Sequence, residues 1–551
     1  MAELQEVFYS GDGKSEMLRE RKSLLHLLIC TLFCVHIANS AVSADDRPQW
    51  GQRYSRNMVS SETGLPETFD PATGKNIKWE VPLGTQTYST PVVAGGKVLI
   101  GTNNDRPRDP RHKGDRGVLL CLDEKDGSLC WQLVVPKLPN PLYVDWPRVG
   151  ICSPATVEGE RVYIVSNRGE VMCLDLNGQA NGNDGPYKDE GRHMAERDSE
   201  PLEVTKTDAD IIWLFDMLSE VGVHQHDSAH SSILLHREFL YVNTSNGLDN
   251  NHRRLPAPDA PSLIVLDKTT GRLAAQEDEQ ISSRIFHSTW SSPALGEVNA
   301  VREPMEKASN VVNGAGSLPE QTDGLVFFCG GDGVCYAFEA LSGTMTCRTE
   351  AEAVGKKLRT VWRFDCDPTA PKENVHKYIG NRRESPSNIK SIPVFHNNRV
   401  YVTVGGDIWW GKHEAWLKCI DATRRGDITD DGEVWSYPLE RHCCSTPSIR
   451  DGLVFVADCG RRIHCVDAET GKPYWTHETK GEIWASTLVA DGKVYIGTKL
   501  RDFWVLAASK NKRVISLIEL DSPMHATPVA ANGVLYVATM KKLYAVRTEP
   551  E

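Results

Sequence analysis

The chain has 551 residues, 40% of them hydrophobic and 25% charged, with a formal net charge of −12. That length allows several ordinary domains or one closed repeat array. The acidic balance, without a basic stripe, argues against nucleic acid or an anionic membrane surface as main partner, and the lack of a long apolar span after residue 45 leaves no room for a transmembrane helix in the mature chain.

The N-terminus reads as targeting sequence. RERKSLLHLLICTLFCVHIANSAVSADD has a basic n-region, an apolar h-region and a small-residue cleavage site. Residues 1–44 are therefore assigned to an N-terminal extension and a signal peptide. Val42 and Ala44 fit positions −3 and −1, so cleavage is expected after Ala44, with Ala41 as an alternative first residue. Residues 1–16 are polar, which places the expected start of translation at Met17. Neither Cys30 nor Cys34 follows the small residue that a lipobox requires, which argues against a lipid anchor; on the length of the h-region, the alternative to an exported, periplasmic or secreted protein is a retained signal anchor. Thirteen of the 15 cysteines remain after removal of the signal. In a compartment that permits disulfides, an odd count leaves at least one thiol free or paired between chains.

Residues 45–75 form a lead-in segment. From there to residue 547 one pattern recurs: a Ser/Thr-Pro step, a short Gly/Asn/Asp turn, an alternating apolar run, an apolar-Asp step with a second Gly turn, and a Trp. Residues 445–475 show it in full, with Asp451-Gly452 as a hairpin turn between alternating strands and Tyr474-Trp475 opening the fourth strand. Four short antiparallel strands in about forty residues make one propeller blade. The opening step recurs at Pro91, Pro154, Ser232, Pro293, Pro393, Pro447, Thr487 and Pro528, which predicts eight blades and an all-β fold. The closing aromatic stands at Trp131, Trp213, Trp362, Trp435 and Trp475 and is replaced near Leu273 and Ile515. The last blade ends without its fourth strand. Asn76–Val81, with Trp79, is positioned to supply it and close the ring, which removes an exposed edge. Residues 177–210, 299–323 and 366–390 are polar insertions, expected to be surface loops.

The STP…DG…VYV…CVDAETGKxxW pattern resembles the pyrroloquinoline-quinone-type (PQQ-like) propeller repeat over residues 76–547. It looks most like the exported bacterial PQQ-like repeat proteins that are not dehydrogenases, and it shares the repeat with the propeller lipoprotein of outer-membrane assembly and with PQQ alcohol dehydrogenases. Arg47-Pro48-Gln49-Trp50-Gly51 resembles the short Trp-containing lead-in of the exported proteins. The resemblance implies an eight-bladed ring; it does not by itself imply quinone binding.

Cys121, Cys173, Cys419 and Cys465 occupy one repeat position, before the apolar-Asp step, where a small apolar side chain packs between sheets. Cys443-Cys444 is the sharpest chemical signal, because the related dehydrogenases stack the quinone on a disulfide between neighbouring cysteines. Aligning the blades at the opening step places Tyr88, Trp290, Lys390, Trp484 and His525 at the same rim, with His226, His287, Arg441, His442 and Glu482 slightly above. Cys443, Cys444, Trp290, Trp484, Arg441 and His525 are thus the candidates for holding a flat anionic ligand by stacking and charge-assisted hydrogen bonds. The same mouth suits a peptide or a sugar.

No calcium-ligand set beside a quinone is recognisable, no catalytic residue is assigned, and there is no Cys-x-x-Cys-His for a covalent haem. Asp427, Thr429 and Asp431 begin like a Ca²⁺ loop, but Pro438 stands at the twelfth position, which favours a hairpin turn. His224, His226 and His230 show no spacing that predicts a shared metal. The expected function is a non-catalytic scaffold in the cell envelope that binds a protein, small molecule or glycan at the channel face. The alternatives are a PQQ- and calcium-dependent dehydrogenase oxidising an alcohol or sugar, and a carbohydrate-binding propeller.

Overall fold

Period-2 runs such as Leu453–Asp458 and Arg462–Asp467 place successive side chains on opposite faces and pair antiparallel across tight turns. In the computed structural model, which describes residues 45–139, 144–298, 324–343 and 356–548, such runs build eight antiparallel sheets of four main strands each. Each inner strand begins at an expected opening step, from Val92–Ala94 in blade 1 to Val529–Ala531 in blade 8. Blade 4 gains a short parallel strand, Gly426–Asp427, beside Thr360–Asp365. Ile77–Pro82 pairs antiparallel with Lys542–Val546, so the two ends of the ring share blade 8. No described helix is long and apolar enough to cross a membrane. The assigned signal peptide, its cleavage site and Met17 lie outside the described residues.

The tryptophans explain how blades dock. Trp79, Trp131, Trp213, Trp362, Trp435 and Trp475 each donate Nε1–H to a backbone carbonyl of the next blade, at Glu124, Leu176, Lys268, Ala422, Ala468 and Ser509. The ring also packs on that blade's turn. At Gly271, whose φ is +72°, an added Cβ would lie 2.4 Å from the Trp213 ring, so only glycine lets the blades approach this closely. Cys121, Cys173, Cys419 and Cys465 sit directly opposite Trp131, Trp213, Trp435 and Trp475 on the neighbouring strand and are buried. Burial pushes the thiols of Cys173, Cys419 and Cys465 up to about 12, so they serve as small apolar groups.

Residues 45–60 form a strap that touches the inner region of every blade. Arg47 pairs with Val93, Pro48 accepts from Val157, Tyr54 from Leu295 and Ser55 from Phe395. Asn57 exchanges two hydrogen bonds with Ile449, Met58 and Ser60 bracket Val489, and Ser60 donates to Ala530. The buried Arg56 guanidinium donates to Ser232, Pro293 and Trp50.

The insertions differ from plain surface loops. Within 177–210, a short helix, Glu190–Met194, is mostly buried, and His193 reaches Glu170 of blade 2 at 3.1 Å. Arg116 of blade 1 donates to the Met194 carbonyl. The segment is thereby folded back onto blades 1 and 2, since a buried carboxylate needs the partner it brings. The end of 366–390 is also buried, at Ser387, Asn388 and Lys390. Residues 299–323 lie outside the described residues.

Candidate functional site

Three residues before the opening step, the repeat turns towards the ring axis. Tyr88, Trp290, Lys390, Cys444, Trp484 and His525 share that position and line one cavity of about 390 Å³. Cys152 and His230, one residue nearer the step, supply blades 2 and 3, and Trp50 comes from the strap. Because all eight blades contribute, the cavity lies on the axis.

Its wall is a belt of rings in edge and tilted contact. Tyr88 meets His525 at 5.0 Å between centroids, His525 meets Trp484 at 5.1 Å, Trp484 meets Trp409 at 5.6 Å, and Trp409 meets Trp290 at 5.5 Å. The Lys390 ammonium lies 4.1 Å from the Trp290 centroid, and Lys499 lies 4.2 Å from that of Trp484. Among the described residues, Trp290 Nε1 and His525 Nδ1 are buried without a hydrogen-bond partner. Burial, helped by the charge of Lys499, drops His525 to about 3 and keeps it neutral.

Trp409 and Trp410 come from the loop between Arg399–Gly406 and Ala415–Asp421. Asp407 fixes that loop by accepting the backbone N–H groups of Trp409 and Trp410 at Oδ1. Its Oδ2 takes His287 Nδ1 at 3.0 Å, Asn388 Nδ2 at 2.9 Å and Lys390 Nζ at 3.3 Å. Burial would raise the Asp407 carboxyl, but His287 and Lys390 hold it well below the usual range. Asp227, with fewer partners, is pushed up to about 6 by burial. Beside it, His226, His252 and His287 bring ligand-capable atoms within 4.8 Å of one another. Burial lowers His252 to about 4 and His226 well below its usual range, so both rings are neutral.

The two adjacent cysteines part company. Cys443 is buried in the core between blades 5 and 6, with Sγ 2.8 Å from the Ala457 carbonyl. Cys444 lines the cavity, where the adjacent Cys459 thiol, against the cost of burial and aided by His442 and Lys390, lowers it to about 5. All twelve described cysteines are free thiols. Arg441 is exposed and outside the cavity lining, His442 is buried, and Glu482 binds Trp484 and Lys499. Asp427 and Asp431 pair with Arg363 and Arg424, and Asp427 also accepts from Thr429, an arrangement that locks a turn and leaves few oxygens for an ion.

Sequence reasoning missed Asp227, His252, Asp407, Trp409 and Trp410. A tryptophan pair in a hairpin loop, away from the repeat's docking position, was the available signal for Trp409-Trp410. His252 sits in an irregular insertion and carries none.

The family model described as outer membrane protein assembly factor BamB matches residues 53–192 and 413–549, half of the chain. The chain belongs to the BamB family. It is a PQQ-like propeller whose matched portions begin in the strap and flank the elaborated middle blades. A 112-residue stretch is 31% identical to 1-butanol dehydrogenase (cytochrome c) of Thauera butanivorans, which takes in 17% of this chain and only 16% of that enzyme. Among solved structures, BamB from Moraxella catarrhalis aligns with a TM-score of 0.48 and 11% identity over 86% of this chain and 97% of that one. Quinohemoprotein alcohol dehydrogenase from Comamonas testosteroni aligns at 0.43 and 10% identity over 93% and 82%. A europium-containing methanol dehydrogenase aligns at 0.46 and 11% identity over 90% of each chain.

Proposed function

We propose that this BamB-family protein is an exported, non-catalytic propeller that binds a flat, conjugated small molecule rich in hydrogen-bond acceptors in its axial cavity. The observation that carries this reading is the pair of unpartnered polar atoms, Trp290 Nε1 and His525 Nδ1, on an aromatic wall. A buried N–H without an acceptor costs about 1–3 kcal/mol, which a ligand carbonyl or carboxylate would recover. Trp290 and Trp484 would supply stacking, Lys390 a cationic edge, and Cys444 and His525 the remaining wall. The signal-like pattern of the N-terminal residues supports export. The family description, an assembly factor of the outer membrane, supports a second role for the disc as a scaffold for an envelope protein.

The stretch shared with 1-butanol dehydrogenase favours one other reading, a PQQ- and calcium-dependent oxidation of an alcohol or sugar. The residues present do not suit it. Ca²⁺ takes about 6–8 oxygen ligands, yet Asp227 is the one carboxylate among the described lining residues, and the oxygens of Asp407 are already engaged. Cys443 also lies in the core, while Cys444 alone of the pair lines the cavity.

Tryptophan fluorescence of the mature protein should be titrated with flat quinones and aromatic carboxylates, PQQ with and without Ca²⁺, and sugars. The expected result is saturable quenching that needs no Ca²⁺ and weakens about tenfold in Trp290→Phe, which keeps a ring but loses the N–H, a change of about 1.4 kcal/mol. Calcium-dependent PQQ binding with dye-linked alcohol oxidation would replace this reading with the dehydrogenase. Saturation by sugars alone would make it a glycan-binding propeller, and silence throughout would leave only the scaffold role.

A further inference from the structure

We propose that His226, His252, His287 and Asp227 form a binding site for one divalent first-row transition metal ion, at the side of the axial cavity between blades 3 and 4. The inference goes beyond the ligand-binding reading and stands without it.

Hydrogen-bond logic fixes the tautomers. His226 Nδ1 lies 2.6 Å from the Leu248 carbonyl, which can only accept, so Nδ1 carries the proton. His287 Nδ1 lies 3.0 Å from an Asp407 oxygen whose carboxylate otherwise receives only donors, so it too carries the proton. With Nδ1 of each ring engaged, Nε2 is the atom each turns to the other, and the two Nε2 atoms face each other at 3.1 Å. Two imidazole nitrogens at that separation need a cation, a metal ion or a proton, between them or beside them. Asp227 Oδ2 stands 3.6 Å and 3.9 Å from the same two nitrogens, and the His252 ring lies 5.0 Å and 5.1 Å from the other two rings. Around a tetrahedral ion with bonds of about 2.0–2.1 Å, ligand atoms lie about 3.3 Å apart, close to the spacing seen.

The backbone is arranged to make this approach. Gly247 pairs with Ser288, and a Cβ on it would lie 2.7 Å from His226 Cβ and 2.8 Å from the His287 carbonyl, so a larger residue would push the two histidines apart. Asp227 and His252 are held at φ of +61° and +56°, a region that costs free energy for residues with a Cβ and is found clustered at functional sites. The Asp407–His287 bond supplies the carboxylate that orients a metal-bound imidazole. Three imidazoles and one carboxylate select Zn²⁺, Co²⁺, Ni²⁺ or Cu²⁺ over Ca²⁺ and Mg²⁺, which prefer oxygen.

The test uses untagged protein stripped with a chelator and titrated with Co²⁺ by visible absorption and with Zn²⁺ by calorimetry. One equivalent of each should bind, Co²⁺ with the intense visible bands of a four-coordinate site. His287→Gln and His252→Gln should each weaken binding more than about tenfold, and Asp407→Asn roughly 10–100-fold. The unchanged circular dichroism of metal-free His252→Gln, a loop substitution, guards against reading misfolding as lost ligation. Absence of stoichiometric binding would overturn the proposal and leave a shared proton as the cation. Affinity unchanged in all three histidine variants, His226→Gln included, would overturn it by placing the ion elsewhere, as would displacement of Co²⁺ by equimolar Ca²⁺.

Discussion

Two sets of residues meet in the axial cavity and are held in different ways. Tyr88, Trp290, Lys390, Cys444, Trp484 and His525 come from one position of the repeat and inherit their placement from the blade that follows. Asp227, His252, Trp409 and Trp410 come from irregular chain and depend on local devices: two N–H groups on Asp407, the close approach at Gly247, and Asp249 Oδ1 accepting from the N–H of Asn251, Arg253 and Arg254. A repeat position tolerates any side chain the axis can hold, because blade docking is carried elsewhere by tryptophan and glycine. The irregular set has no such independence, and each member relies on its neighbours.

The largest expected effect tests that division. Trp362 is fully buried and its Nε1 bonds the Ala422 carbonyl of the next blade, so Trp362→Ala should destabilise the fold by about 3–5 kcal/mol in urea unfolding. Trp409 is only half-buried and docks no blade, so Trp409→Ala should cost within about 1 kcal/mol while altering the cavity. Equal losses would mean that the cavity rings are part of the framework.

The sequence displayed the framework far better than the cluster, for a physical reason. Ser/Thr-Pro steps, Gly turns and docking tryptophans recur because every blade solves the same packing problem, so eight blades, the closing strand at Ile77–Pro82 and the rim positions can be read by alignment within one chain. His226, His252 and His287 solve a problem that occurs once. They meet through the bridges Gln225–Asn246 and Gly247–Ser288 across two blades, contacts that no local period announces. The insertion at 177–210 was misjudged for a related reason: its polar composition conceals that Glu190, His193 and Met194 turn inward.

That insertion gives the second, intermediate prediction. Burial would raise Glu170, but the charge and hydrogen bond of His193, with Arg168 and Ser166, bring it down to about 2. A carboxyl with a depressed folded pKa stabilises fully above its unfolded value near 4.5 and loses that contribution as pH falls towards 2. His193→Gln should therefore cost about 1–3 kcal/mol at pH 7, and the gap from wild type should close progressively between pH 4.5 and 2. A pH-independent gap would mean that the helix is held by packing alone, as the repeat-derived residues are.

The smallest effect separates the cavity from the rest of the thiol inventory. The thiolate is the reactive form, and two described cysteines are shifted towards it: Cys444, at about 5, and Cys130, brought to about 6 by the hydrogen bond from Cys121, against burial, and by Lys97 at 3.2 Å. Burial holds Cys152, Cys173, Cys419 and Cys465 near 12. Brief iodoacetamide treatment at pH 7, read by peptide mass mapping, should mark Cys444 and Cys130 among the described cysteines and leave Cys443 unmodified. Because Cys444 lines the cavity and Cys130 does not, a bound flat ligand should shield the first and not the second, with no change in fold stability. Shielding of both would point to a global closing of the disc, and shielding of neither, at saturating ligand, would place the ligand away from the blade 6 wall.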